Sequence, residues 1–255
     1  MVDIKQLISI AQQAGQLILS IYNQSSLEVS THADDSPLTH ADIESHLFIC
    51  SSLQRYYPNI PIISEESAEL HSYEARKDFE YFFLVDPLDG TKEFIHRNGE
   101  FTINIALVKK NKPILGVIHA PALNITYYAE EEKGAYKIKN NEQSRLLHSD
   151  SSSNEAVRVV VSRSHSCDQT TLFLSSLESQ GKQVIKTSSG SALKFGLIAE
   201  GNADIYPRFS PTMEWDTAAG HVLVNETGKQ VVLSDQSGAL QYNKFELKNP
   251  GFIVQ

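Results

Sequence analysis

Apolar residues along this chain recur at two different periods, and the change from one to the other divides its first half. Ile4, Leu7, Ile8, Ala11, Ala14, Leu17, Ile18 and Ile21 fall three and four apart, which predicts an amphipathic helix ending near Asn23. A polar, turn-rich stretch follows over 25–37. Thr39-His40-Ala41-Asp42 then has the form of a capping box, so a second helix is predicted from Thr39, with Ile43, Leu47, Cys50 and Leu53 on one face and Pro58 closing the region. Beyond it the period shortens. Residues 61–64 and the unbroken apolar run 81–85 read as strands, the second of them covered on both faces. Phe101, Ile103, Ile105 and Leu107 alternate with Thr102, Asn104 and Ala106, and further strands are predicted over 113–120, 125–130 and 135–139, the last two joined by a turn at 131–134. Helices against a mainly antiparallel meander are the expected first half.

The second half alternates strand and helix. Strands are predicted over 157–161, 184–186 and 231–233, and helices over 170–180, 191–200 and about 216–226, with Gly181, Gly201 and Gly228 near the helix C-terminal ends. The polar stretch 149–154 between the halves has the composition of a connection, so the expected organisation is a helix pair with its sheet over 1–150 and an α/β unit over 151–255. The fold class is α/β in the broad sense, with α+β character in the first part.

Composition then excludes several functions. A chain of 255 residues with 41% apolar and 21% charged residues is long enough to bury a large core without staples. A net charge of −9 argues against a grip on polymeric nucleic acid, which needs clustered cations. The two cysteines, Cys50 and Cys167, form no CxxC pair or disulfide framework. The start Met1-Val2-Asp3-Ile4-Lys5 lacks the marks of a signal peptide, and no run approaches the roughly 20 apolar residues of a membrane span, so the cytoplasm is the expected compartment.

The chemistry concentrates in acids at the ends of apolar runs. The run 81–85 leads into Asp86-Pro87-Leu88-Asp89-Gly90-Thr91, in which Pro87 holds Asp86 extended and Gly90 permits a tight turn. Carboxylates at the end of a buried strand are costly unless paired or bound to a cation, and hard cations such as Mg²⁺ want oxygen ligands. An ordinary Asp-Pro and Asp-Gly turn is the competing reading. Glu65 and Glu66 follow another apolar run, and Asp216 stands at the start of the last helix, where a capping role alone would account for it.

Taken together, Ser64-Glu65-Glu66, the run from Asp86 to Phe94, and Trp215-Asp216-Thr217-Ala218-Ala219-Gly220 resemble, in order, the three metal-binding motifs of the inositol monophosphatase-like family. Lys92-Glu93-Phe94 stands where inositol monophosphatases typically have Asn-Phe. That segment, with 189–195 and 205–212, is similar to the CysQ group of 3'(2'),5'-bisphosphate nucleotidases. The resemblance covers nearly the whole chain. It implies a layered α-β-α-β-α sandwich and a Mg²⁺-dependent phosphomonoesterase, with two or three ions, acting on adenosine 3',5'-bisphosphate as a small-molecule substrate. Inositol phosphate and fructose 1,6-bisphosphate are the alternative substrates.

The resemblance also assigns roles. Glu65, Asp86 and the Leu88 carbonyl would hold one ion, and Asp86, Asp89 and Asp216 a second. Thr91, backed by Asp42, would orient the attacking water, with Glu65 sharing in catalysis; the capping reading of Asp42 competes. Glu65, Leu88, Asp89, Gly90, Thr91 and Asp216 would also face the substrate phosphate. Ser189, Gly190, Ser191, Lys194 and Arg208 would meet the rest of the nucleotide, Tyr206 would offer an aromatic surface, and the segment Ser162-Arg163-Ser164-His165 is a second plausible anion site. A monomer and a homodimer are both compatible with the sequence. Some relatives associate loosely with the inner membrane, which leaves peripheral attachment open beside a free cytoplasmic protein.

Overall fold

The computed structural model describes residues 2–24, 29–31, 37–146, 156–164 and 167–255. Helix α1 spans Ile4–Tyr22, a short hairpin pairs β1 (Val29–Thr31) with β2 (Pro37–Thr39), and α2 spans His40–Tyr56. Then come β3 (Ile62–Ser64), a 3₁₀ segment (Glu65–Leu70), α3 (Tyr73–Arg76), β4 (Tyr81–Asp89), α4 (Thr91–Ile95), β5 (Thr102–Lys109), β6 (Lys112–Ala120), β7 (Ile125–Glu130), β8 (Gly134–Lys139) and β9 (Glu142–Leu146). The second half supplies β10 (Ala156–Ser162), α5 (Asp168–Ser179), β11 (Gln183–Ser189), α6 (Leu193–Ala199), β12 (Tyr206–Arg208), β13 (Thr212–Met213), α7 (Glu214–Asn225), β14 (Val231–Leu233), β15 (Lys248–Asn249) and β16 (Phe252–Val254).

Strands β3 to β9 form one sheet in chain order, parallel between β3 and β4 and antiparallel after that, as the alternation predicts. Helices α1 and α2 cover one face. Their core joins Leu7, Ile18, Ile49 and Leu53 to Phe83, Val85, Ile103, Ile105 and Val117. Helices α6 and α7 cover the other face, and beyond them lie the parallel pair β10-β11 and the antiparallel sheet β12-β16-β14, with α5 outermost. The layers therefore run α-β-α-β-α. The core around α7 draws on residues from both halves of the chain, Phe82 and Ile118 as well as Phe252 and Val254. The predicted connection at 149–154 lies outside the described residues.

Two expectations need correction. The predicted face of α2 is turned partly outward: Ile43 and Leu47 are exposed, and the residues buried are Ala41, Asp42, Ser45, Ile49 and Leu53. The buried polar pair has bonds to make on the sheet side, described below, and these decide the rotation. The last helix starts earlier than predicted, at Glu214, so Asp216 is its third residue and Met213 its cap.

The depth at which α7 sits follows from a row of small residues. Ala106, Gly116, Ala129 and Ala135 stand side by side on four neighbouring strands. A Cβ at Gly116 would come within 2.5 Å of the Ala219 carbonyl oxygen and 2.9 Å of its Cα. Both are backbone atoms and cannot rotate away. Gly116→Ala is accordingly expected to lose about 1–3 kcal/mol of stability, and urea denaturation would reveal a midpoint left unchanged if helix and sheet were loosely packed here.

Candidate active site

Strand β4 runs through both acids of the 86–91 segment rather than ending before them. Strict alternation would put Leu84, Asp86 and Leu88 on one face and Val85, Pro87 and Asp89 on the other. The register is broken instead: Asp86 pairs with Asn104 and Asp89 with Thr102, so Pro87 and Leu88 together stand opposite Ile103. This β-bulge sends Leu88 into the core under α1 and α2 and returns Asp89 to the side of Asp86. Gly90 then adopts φ 91°, a left-handed conformation that glycine accepts without strain, and caps α4.

On that side the acids meet others from separate elements around one cleft of about 470 Å³. Glu65 enters from the 3₁₀ segment at the end of β3 and lies within hydrogen-bonding reach of Asp86. Asp216 enters from α7, where its Oδ2 also accepts from the Met213 N–H at 2.8 Å. Asn104 Nδ2 donates to Asp89 Oδ2 at 3.3 Å. Thr91 Oγ1 donates to Asp42 Oδ1 at 3.1 Å, while Asp42 Oδ2 accepts from the Thr39 N–H at 2.8 Å and the Thr39 hydroxyl at 2.5 Å. Both readings of Asp42 hold at once, because one carboxylate oxygen caps the helix and the other takes Thr91.

Burial pushes the Asp86 and Glu65 carboxyls well above the usual carboxylate range, and the acids around them push further. Asp216 is pushed up to about 7, first by burial and then by Asp89. Asp89 is raised by burial although Lys194 and Asn104 oppose the shift. Such a group of acids is stable as anions only with added positive charge. Among the described residues, no three His, Cys, Asp or Glu side chains are drawn closely enough to cage an ion as they stand. The candidate ligands there, Glu65, Asp86, Asp89, Asp216 and the Leu88 carbonyl, are nevertheless all oxygen donors, with no His or Cys in the lining of the cleft. That set fits a hard divalent cation such as Mg²⁺ better than zinc or another soft metal.

Of the remaining predicted contacts, Ser191, Lys194, Tyr206 and Arg208 line the cleft. Burial lowers the Lys194 ammonium to about 8, and its Nζ donates to the carbonyls of Ser189, at 3.3 Å, and Ser191. It also lies 5.5 Å from the centre of the Tyr206 ring, so that aromatic face is already covered by a cation. Ser189 and Gly190 sit behind the lining, and the Gly190 N–H donates to Glu100 Oε2 at 2.6 Å. The Arg163 guanidinium, expected at an anion site, is held by both oxygens of Glu100, at 2.8 and 2.7 Å. Ser164 donates to Glu93, Ser162 lines the cleft, and His165 lies outside the described residues.

A model of the inositol monophosphatase family matches residues 2–255. The chain belongs to this family. Within it, the chain is 44% identical over 254 residues to the 3'(2'),5'-bisphosphate nucleotidase CysQ of Salmonella typhimurium, covering 98% of each chain. Identity to the CysQ nucleotidase of Escherichia coli K12 is 43% over 252 residues, again with 98% of both covered. The crystal structure of CysQ from Bacteroides thetaiotaomicron superposes with a TM-score of 0.87 at 40% identity, covering 99% of this chain and 96% of that one. Asn104, Thr102 and Ser45 escape sequence reading as parts of this site. The first two carry a signal: they are polar positions on the inward face of a strand that is otherwise apolar, beside the acids.

Proposed function

We propose that the protein is a Mg²⁺-dependent 3'(2'),5'-bisphosphate nucleotidase that hydrolyses adenosine 3',5'-bisphosphate to AMP and phosphate. The observation that carries this reading is a single cleft lined both by the acids Glu65, Asp86, Asp89 and Asp216 and by the cations Lys194 and Arg208. A substrate with two phosphates, one to be hydrolysed among the acids and one to be paired with cations, suits such a lining. The relatives named CysQ, alike over almost their full length, support the same choice.

Glu65, Asp86 and the Leu88 carbonyl would hold one ion, and Asp86, Asp89 and Asp216 another. When bound, such ions neutralise charge on the phosphoryl oxygens and acidify a bound water. The chain's own residues supply position and a proton path. Thr91 Oγ1, already donating to Asp42, has lone pairs free to accept from a water and hold it in line with the ester bond. As water oxygen bonds to phosphorus and the ester P–O bond breaks, the water proton passes to Thr91, whose own proton passes to Asp42, and the departing ester oxygen takes a proton from solvent water. Asp42 suits that task because burial raises its carboxyl. Lys194 and Arg208 would pair with the second phosphate.

At equal Mg²⁺, kcat/KM for adenosine 3',5'-bisphosphate should exceed that for inositol 1-phosphate and fructose 1,6-bisphosphate by about 100-fold or more, since buried polar groups left unpaired discriminate strongly. Phosphate release with the three substrates measures this. Equal or faster turnover of inositol phosphate would defeat the assignment.

A further inference from the structure

Helix α2 turns two polar side chains inward one turn apart. Asp42 holds Thr91; Ser45, fully buried, donates its hydroxyl to the Pro87 carbonyl at 2.7 Å. Pro87 lies within the bulge, where the broken register leaves it without a cross-strand partner. A serine inside a helix usually bonds back to its own helix, whereas this one reaches 42 residues along the chain to the strand that carries the acids.

The peptide unit it grips has a second end. The Pro87–Leu88 peptide is planar and trans, so its C=O and N–H point in opposite directions. Fixing the carbonyl toward α2 fixes the Leu88 N–H toward the cleft, where it donates to Asp86 Oδ1 at 3.1 Å. Asp86 is the acid that both proposed ion sites share. We infer that Ser45 is a positioning residue: acting through the Pro87–Leu88 peptide, it sets the orientation of the Asp86 carboxylate and, with Asp42, fixes both ends of the segment that presents the metal ligands. This inference rests on the reading of the cleft as a Mg²⁺-dependent phosphatase site.

Three variants and a control test it. Ser45→Ala removes the donor, Ser45→Cys replaces it with a weak donor of similar size, and Ser45→Thr keeps the hydroxyl. Ile49→Val lies one turn further along the buried face of α2 and touches only the core. The first readout is the Mg²⁺ concentration at half of the Mg²⁺-induced rise in melting temperature, which requires no turnover; kcat and KM for adenosine 3',5'-bisphosphate follow. Ser45→Ala and Ser45→Cys should raise the Mg²⁺ midpoint and lower kcat by about 10- to 100-fold, the usual range for groups that orient metal ligands, with KM changing much less. Ser45→Thr should recover most of both, and Ile49→Val should lower the melting temperature without moving the Mg²⁺ midpoint. Should Ser45→Ala not fold, Ser45→Cys decides by the same measures. Wild-type Mg²⁺ midpoint and kcat in these variants would overturn the role of Ser45 alone. A wild-type protein with neither a Mg²⁺ shift nor hydrolysis would overturn the functional reading and this inference with it.

Discussion

Asp89→Asn should stop turnover while leaving the protein folded. The substitution keeps shape and removes one negative charge from a group of acids that are all pushed toward protonation. The introduced amide can offer its oxygen to Asn104 Nδ2 in place of the carboxylate, so the link to β5 survives. The charge is what an ion would need, and losing several kcal/mol of transition-state stabilisation corresponds to a fall in kcat of about 10³-fold or more. In chelator the melting temperature should hold or rise, because one buried repulsion is gone. Phosphate release and thermal melts measure the two effects. A variant that turns over at the wild-type rate would remove Asp89 from the site.

Chelation should make stability depend on pH in a direction set by the same acids. Asp216, ordinarily near 3.8, is raised to about 7, and Asp86 and Glu65 are raised well above their ordinary values. A carboxyl with a folded-state pKa above its unfolded one binds its proton more tightly in the folded state. Its stabilising contribution is whole below the unfolded value and is lost as pH rises through the folded one. Two buried histidines, His119 and His221, act oppositely: each is lowered to about 4, so the folded state gains from their neutrality as pH rises toward 6.5. The opposing effects overlap below pH 6.5. Above it the histidines lose their remaining unfolded-state charge within about one pH unit, and Lys194, lowered to about 8, opposes only toward the top of that range, so the three raised acids outweigh both.

In chelator the melting temperature is therefore expected to fall between about pH 6.5 and 8. Saturating Mg²⁺ should restore it and flatten the slope, because a bound cation favours the ionised acids. At a hundredfold excess over Kd the gain is about 2.7 kcal/mol, or about 5–10 °C for a chain of this size. Thermal melts across that pH window with chelator and with Mg²⁺ provide the check. Stability that stays level in chelator, together with no response to Mg²⁺, would count against the acids forming a cation site.

Periodicity reveals the elements whose burial follows their chemistry. Helix α1 and strands β4 to β8 fall where the apolar spacing predicts them, and the alternation of Phe101, Ile103, Ile105 and Leu107 matches the face that packs on α1 and α2. Strand β9 escapes the pattern because Glu142, Gln143, Ser144 and Arg145 are exposed at the sheet edge and carry no alternation. Helix α2 misleads for the opposite reason. Its hydrophobic residues suggest one face, but the partners waiting for Asp42 and Ser45 on the sheet side select another, and no local pattern reveals partners that lie 42 and 49 residues away. The acids themselves are legible, since buried strands rarely end in paired carboxylates without cause. Their convergence is not, because it depends on the bulge in β4 and on the row of small residues that lets α7 bring Asp216 close.

The bulge makes this site sensitive to strand register as well as to residue type. Were β4 to keep both Pro87 and Leu88 but flatten to even alternation, Asp89 would point into the hydrocarbon core beneath α1 and α2, opposite Asp86. Every acid would still be present in the sequence and in the same order, yet the site would be divided across the sheet. The hairpin of β8 and β9, exposed at the far edge, could lose residues with only a shorter ribbon as the result. For this protein, the two-residue spacing between Asp86 and Asp89 works only together with the bulge: a one-residue gap there would keep both acids on one face and remove the Pro87–Leu88 peptide that Ser45 and Asp86 hold.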